Sequence, residues 1–165
     1  MLWTVPRKLG IPLFIFIMGS QLLIFRERYL EYFYPFADAS LLVNELAAID
    51  WTYQKSGGQG FYVYSYLPSV YDYPYQYLYW WHGRKKYGYV PCEYATYPKI
   101  PDLFVPGVDF YQEPKAPCGT VRFLIVEPDK NEYLRQKWLD GVRSKTKLLE
   151  ETHVGTIILE KREVE

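Results

Sequence analysis

A chain of 165 residues that is 49% hydrophobic and 23% charged has room for one domain with its own core, and it is too apolar to be disordered. Its 19 Lys and Arg balance 19 Asp and Glu, and only Arg84, Lys85 and Lys86 cluster, so there is no net field to draw in nucleic acid. The first strong signal is LGIPLFIFIMGSQLLIF, residues 9 to 25, which carries no charge. A hydrocarbon core takes about 20 residues of helix, and flanking aromatic and snorkelling basic side chains extend a shorter run, so this stretch is expected to span a membrane. Cleavage as a signal peptide is disfavoured, because Ile17, Met18, Gly19 and Ser20 make a poor small-residue site and the apolar run continues to Phe25. Arg7 and Lys8 before the run match Arg26 and Arg28 after it, which leaves orientation open. Tyr29, Tyr32, Phe33, Tyr34 and Phe36 then form an aromatic group where an interfacial belt would lie, and Pro35 is expected to end the helix.

The chain therefore divides into a membrane helix with its flank, residues 1–36, and a soluble domain, residues 37–165. In the second part Asp38 or Ser40 is expected to cap a helix carrying Leu42, Leu46, Ile49 and Tyr53 at helical spacing, stopped by Gly57 and Gly58. FYVYSY follows as a strand, with Phe61, Val63 and Ser65 on one face and Tyr62, Tyr64 and Tyr66 on the other. Asp72 and Pro74 open a second helix whose last turn holds Arg84, Lys85 and Lys86 ahead of Gly88, with Gly83 as an earlier stop. Residues 89–118, rich in proline, suggest a long ordered loop. TVRFLIVEP supplies a buried strand, Asp129 with Glu132 a capping pattern for a third helix that carries Tyr133, Lys137, Trp138 and Val142, and KLLEETHVGTIILEKREVE two strands that turn near Gly155. The expected fold class is α/β: one N-terminal transmembrane helix followed by a small α/β sandwich, of two or three layers, on a mixed sheet.

Chemistry-bearing motifs are few. No GxSxG, phosphate-binding glycine loop, HExxH or CxxC is present, so no catalytic residue and no cofactor is assigned. His82, His153, Cys92 and Cys118 match no recurrent zinc spacing, and no metal site is assigned. Cys92 and Cys118 bracket the proline-rich segment, either as a disulfide outside the cytoplasm or as two thiols. The remaining signal is FYVYSYLPSVYDYPYQYLYWWHGRKKYGYV, residues 61–90, in which ten of thirty residues are tyrosine. A buried phenol needs a hydrogen-bond partner, so tyrosine in bulk points to wet edges, and stacking rings beside Asp72 and Arg84 suit a sugar. The candidate binding residues are Tyr66, Asp72, Tyr75, Trp80, Trp81 and Arg84. Adjacent tryptophans on a helix point about 100° apart, so one of the pair is expected to border solvent, loop or lipid. Asp72, among Tyr66, Tyr71, Tyr73 and Tyr75, reads either as an acid–base carboxylate or, in preference, as a helix cap, and Arg84–Lys86 either as a contact for the phosphate or pyrophosphate of a lipid carrier or, in preference, as a solvated last turn.

The run from FYVYSYLPSVYDYPYQYLYWWHGRKKYGYVP through FLIVEPD and WLDGVRSKTKLLEE to GTIILEKREVE resembles the extracytoplasmic C-terminal domain of bacterial GT-C membrane glycosyltransferase-like proteins, similar to the dolichyl-phosphate-mannose protein mannosyltransferases. The resemblance implies a parent protein in the bacterial cell membrane that takes sugar from a polyprenyl-phosphate donor, with its catalytic carboxylate in an early loop that has no counterpart here. It also implies that residues 38–165 lie outside the cytoplasm. The expected function is then that of an accessory domain contacting the lipid bilayer and a lipid-linked sugar or glycan acceptor. The alternative is a membrane-anchored sensor or interaction domain whose aromatic face docks a protein.

Overall fold

The computed structural model describes residues 7–33, 39, 41–68, 73–98 and 116–165. It divides into two compact units, Met1–Ala37 and Asp38–Glu165. In the first, helix α1 runs Arg7–Phe33 with Pro12 in its second turn, and the window Gly10–Glu27 has a mean hydropathy of 1.4. By length and composition this helix can cross a membrane. Its apolar side chains from Ile11 to Phe25 are exposed along the helix, and Phe25 and Tyr29 pack ring to ring at 5.8 Å. The proposed helix end at Pro35, with Tyr34 and Phe36, lies outside the described residues.

The second unit is a three-layer α/β sandwich. Helix α2 is Leu42–Ser56, β1 Gly60–Tyr66, α3 Tyr73–Leu78, a π-helical turn Tyr79–Gly83, α4 Arg84–Tyr87, β2 Glu93–Ala95, β3 Cys118–Val126, α5 Glu132–Arg143, β4 Thr146–Val154 and β5 Ile157–Val164. The sheet order is β2-β1-β3-β5-β4. Strand β1 pairs parallel with both β2 and β3, whereas β5 runs antiparallel to β3 and β4. The mixed sheet follows from the connections: helices or long segments link the parallel strands, and a tight turn at Gly155, with φ 58°, links β4 to β5.

The alternation predicted for β1 is observed, and both faces are buried. Phe61 and Val63 join Phe123, Ile125, Ile157 and Leu159 beneath α2 and the α3 segment, where Ile49, Tyr53, Tyr75 and Tyr79 complete one core. Tyr64 and Tyr66 join Leu124 and Val126 beneath α5, against Trp138, Leu139 and Val142. A strand flanked by partners on both sides and helices on both faces has little solvent face, and on the tyrosine side of β1 Tyr64 and Tyr66 are interior while Tyr62 is half-buried.

Several local expectations change. Helix α2 begins at Leu42 after an extended Leu41, its expected caps Asp38 and Ser40 lie outside the described residues, and Leu42 is exposed. Ile49 and Tyr53 are buried as expected and Leu46 partly so, and the same face also buries Asn44, Glu45, Ala48 and Thr52. Gly57 ends it in the left-handed conformation, φ 64°, as glycine permits. Gly83 does not stop the second helix. It sits inside the π turn because a Cβ there would collide with the Tyr53 hydroxyl, and the helix closes at Gly88 with φ 81°. The long loop contains a short strand, β2, invisible to periodicity because three residues carry too little pattern. The cap of α5 is Asn131, whose Oδ1 accepts from the Leu134 amide at 3.2 Å, rather than Asp129, which is drawn off by Tyr66. In α5 Tyr133 is exposed while Trp138, Leu139 and Val142 are buried.

Candidate functional site

The tyrosines of residues 61–90 separate into buried and exposed sets, and the hydroxyls of the buried ones, like that of Tyr53 in α2, find partners. Tyr53 donates to the Tyr89 carbonyl at 2.8 Å, Tyr64 to Glu93 at 2.6 Å, Tyr66 to Asp129 at 2.6 Å and Tyr75 to Glu127 at 2.9 Å; Tyr79 shares a 2.9 Å hydrogen bond with Thr52. Each buried phenol therefore keeps a partner, and burial, reinforced by acceptor carboxylates at Tyr64, Tyr66 and Tyr75, holds these phenols neutral; that of Tyr66 is pushed up to about 12. Two of the predicted binding residues, Tyr66 and Tyr75, are thus interior, and they lie in different cores on opposite faces of the sheet. They do not share a platform. Asp72 lies outside the described residues.

Trp80, Trp81 and Arg84 are brought together. With Lys85 they line a groove of about 260 Å³. They lie on one helical segment, which is anchored inward by Tyr79, packed against Tyr53, Phe61 and Tyr94, and Trp81, Arg84 and Lys85 follow one another at helical spacing on its outer side. Trp80 is half-buried and Trp81 is 40% exposed. Tyr77, one turn earlier and 46% exposed, lies nearly parallel to Trp81, with an interplanar angle of 7° and centroids 6.2 Å apart, and its ring also contacts Trp80 at 5.8 Å. Lys85 Nζ stands 5.9 Å from the centre of the Trp81 ring. Lys85 belongs to the Arg84–Lys86 run that the sequence offered as a phosphate contact, whereas Tyr77 is a member of this surface that sequence reasoning missed. Its helical offset of four residues from Trp81 was the available signal, and the tyrosine density around it hid it.

Asp50 of α2 clamps this helix. It accepts from His82 Nε2 at 2.8 Å, Lys86 Nζ at 2.7 Å and the Tyr87 hydroxyl at 2.8 Å. Burial acts to raise the Asp50 carboxyl, but the hydrogen bonds from Lys86, His82 and Tyr87 outweigh it and hold the group below its ordinary value. His82 and Lys86 are therefore turned toward α2, leaving Trp81, Arg84 and Lys85 to the groove.

A second polar cluster lies where β3 ends. The Glu127 amide donates to the Tyr66 carbonyl at 3.0 Å, closing the parallel pair, and its carboxylate takes the Tyr75 hydroxyl. Glu45, on the first turn of α2, is 9% exposed, and burial with the charge of Glu127 pushes its carboxyl up to about 7.

Cys92 and Cys118 form a disulfide, with Cα atoms 6.0 Å apart, that ties the segment after α4 to the start of β3. Among the described residues no three His, Cys, Asp or Glu side chains cluster as a metal site. Comparison with protein-family models, with curated proteins and with solved structures finds no match.

Proposed function

We propose that Asp38–Glu165 is an extracytoplasmic accessory domain of a polyprenyl-phosphate-sugar-dependent glycosyltransferase in the bacterial cell membrane, and that it contacts glycan through the groove of Trp80, Trp81, Arg84 and Lys85. The observation that carries the reading is the exposed, near-parallel Trp81 and Tyr77 pair beside a groove of sugar size, with cations on its wall. Flat aromatic rings stack on the C–H faces of pyranose rings, and neighbouring donors bond the hydroxyls. The apolar helix α1 supports attachment to the membrane. The Cys92–Cys118 bridge supports residence outside the reducing cytoplasm. No residue is given a catalytic role.

The test uses the chain in phosphatidylcholine nanodiscs, titrated with oligosaccharides in a calorimeter. Trp81→Ala is expected to lower affinity about tenfold while leaving the unfolding midpoint nearly unchanged, because a half-solvated ring contributes little to the core. Failure of the wild-type chain to bind any saccharide would discard the reading and favour a protein-interaction domain. Core-like destabilisation by Trp81→Ala, about 3 kcal/mol or more, would show that the ring is structural.

A further inference from the structure

The cations around the groove are not equivalent. Lys86 is spent on Asp50 at 2.7 Å, and His82 on the same carboxylate. Lys85 has no carboxylate partner among the described residues; its one described contact is the face of Trp81. Arg84 forms the adjacent wall, and none of the four residues that line the groove is acidic. Lys85 thus sets a positive charge directly on an aromatic surface. An ammonium beside a flat exposed ring matches a carboxylate fixed to a ring whose C–H face stacks, since the point charge of Lys addresses carboxylate oxygens.

We infer that the groove selects an acidic sugar, a glycan unit whose ring carries a carboxylate, with Trp81 stacking the ring and Lys85 supplying the charge that discriminates it from neutral glycan. The inference rests on the glycan reading above and adds the class of ligand. A solvent-exposed ammonium gives modest energy per ion pair, so the discrimination is expected to be about three- to tenfold and to shrink with salt.

The matched probes are tetragalacturonate and its methyl ester, which share rings and linkages and differ in charge. Binding to the chain in phosphatidylcholine nanodiscs is measured by calorimetry at low and high salt, for the wild type, Lys85→Gln and Trp81→Ala. The wild type is expected to prefer the acid about three- to tenfold, Lys85→Gln to bind acid and ester alike, and Trp81→Ala to weaken both. Equal binding of acid and ester by the wild type would overturn the charge selection and leave the glycan groove standing. Binding of neither removes both. Flotation with phosphatidylglycerol vesicles that Lys85→Gln abolishes, with no sugar binding, would overturn the inference by making this face a lipid-headgroup site.

Discussion

Glu45 shows most directly how a single side chain reports its surroundings. The residue is 9% exposed, and its carboxyl faces the charge of Glu127 and is pushed up to about 7 from an ordinary 4.5. A folded-state value above the unfolded one means that the native state holds the extra proton between those two values. Stability therefore falls as pH rises from about 4.5 through 7, and the full penalty is present above 7. Glu45→Gln is expected to stabilise the domain at pH 8 by about 2 kcal/mol and to make little difference near pH 4, where the native glutamate is already neutral. Chemical denaturation at the two pH values checks this, and an equal effect at both would show that the carboxyl is not strained. Asp50 works in the opposite sense: its depressed carboxyl contributes stability above the unfolded value of about 4, and this is lost as pH falls through the lower folded value. Glu160 of β5 is fully buried between Arg143 at the end of α5 and Arg162 of β5, and its charge is matched on both oxygens.

At the scale of elements, the helical segment around the π turn at Tyr79–Gly83 carries both a core anchor and an outer surface. Tyr75 and Tyr79, four residues apart, share the buried face, while Tyr77, Trp81 and Lys85 at the same spacing, with Arg84, share the outer one. Gly83, within the π turn, admits the Tyr53 hydroxyl against the helix backbone, and Tyr53 also stacks on Tyr87 with centroids 4.1 Å apart. Gly83→Ala is therefore expected to cost about 1 to 3 kcal/mol, against the small gain that alanine brings to an open helical site. A shift of the thermal midpoint downward, rescued in part by Tyr53→Phe, which removes the colliding oxygen, is the confirming pattern. A neutral or stabilising Gly83→Ala would show that the close approach is not maintained in solution.

For the whole second unit, the two cores share one five-stranded sheet, so the unit is expected to unfold as a single cooperative transition once separated from α1. The Cys92–Cys118 bridge closes a segment between β2's approach and β3 and is expected to contribute about 3 kcal/mol by restricting the unfolded chain. A fragment of residues 38–165 should show one thermal transition, moved lower but kept cooperative by reduction. Two transitions, or none, would contradict a single core system.

Composition and pattern alone determined much of this architecture. The uncharged run of α1, the β-branched centre of β3, the period of two in β1 and the glycine stops of α2 and α4 are local signals, and each survives folding because short-range sterics and burial act in the same direction. Trp80, Trp81 and Arg84 were likewise legible as a group, being neighbours on one helix. Tertiary structure decided what local pattern could not. Whether a tyrosine is interior depends on a partner far along the chain, Tyr66 finding Asp129 and Tyr75 finding Glu127, and phenols with such partners are as much at home in a core as aliphatic side chains. β2 exists because β1 offers it a parallel edge, and Asn131 caps α5 because Asp129 is engaged elsewhere. The tyrosine block thus divides into an interior hydrogen-bonded to distant residues and a small outer face around Trp81, a division set by long-range hydrogen bonding that no window of sequence contains.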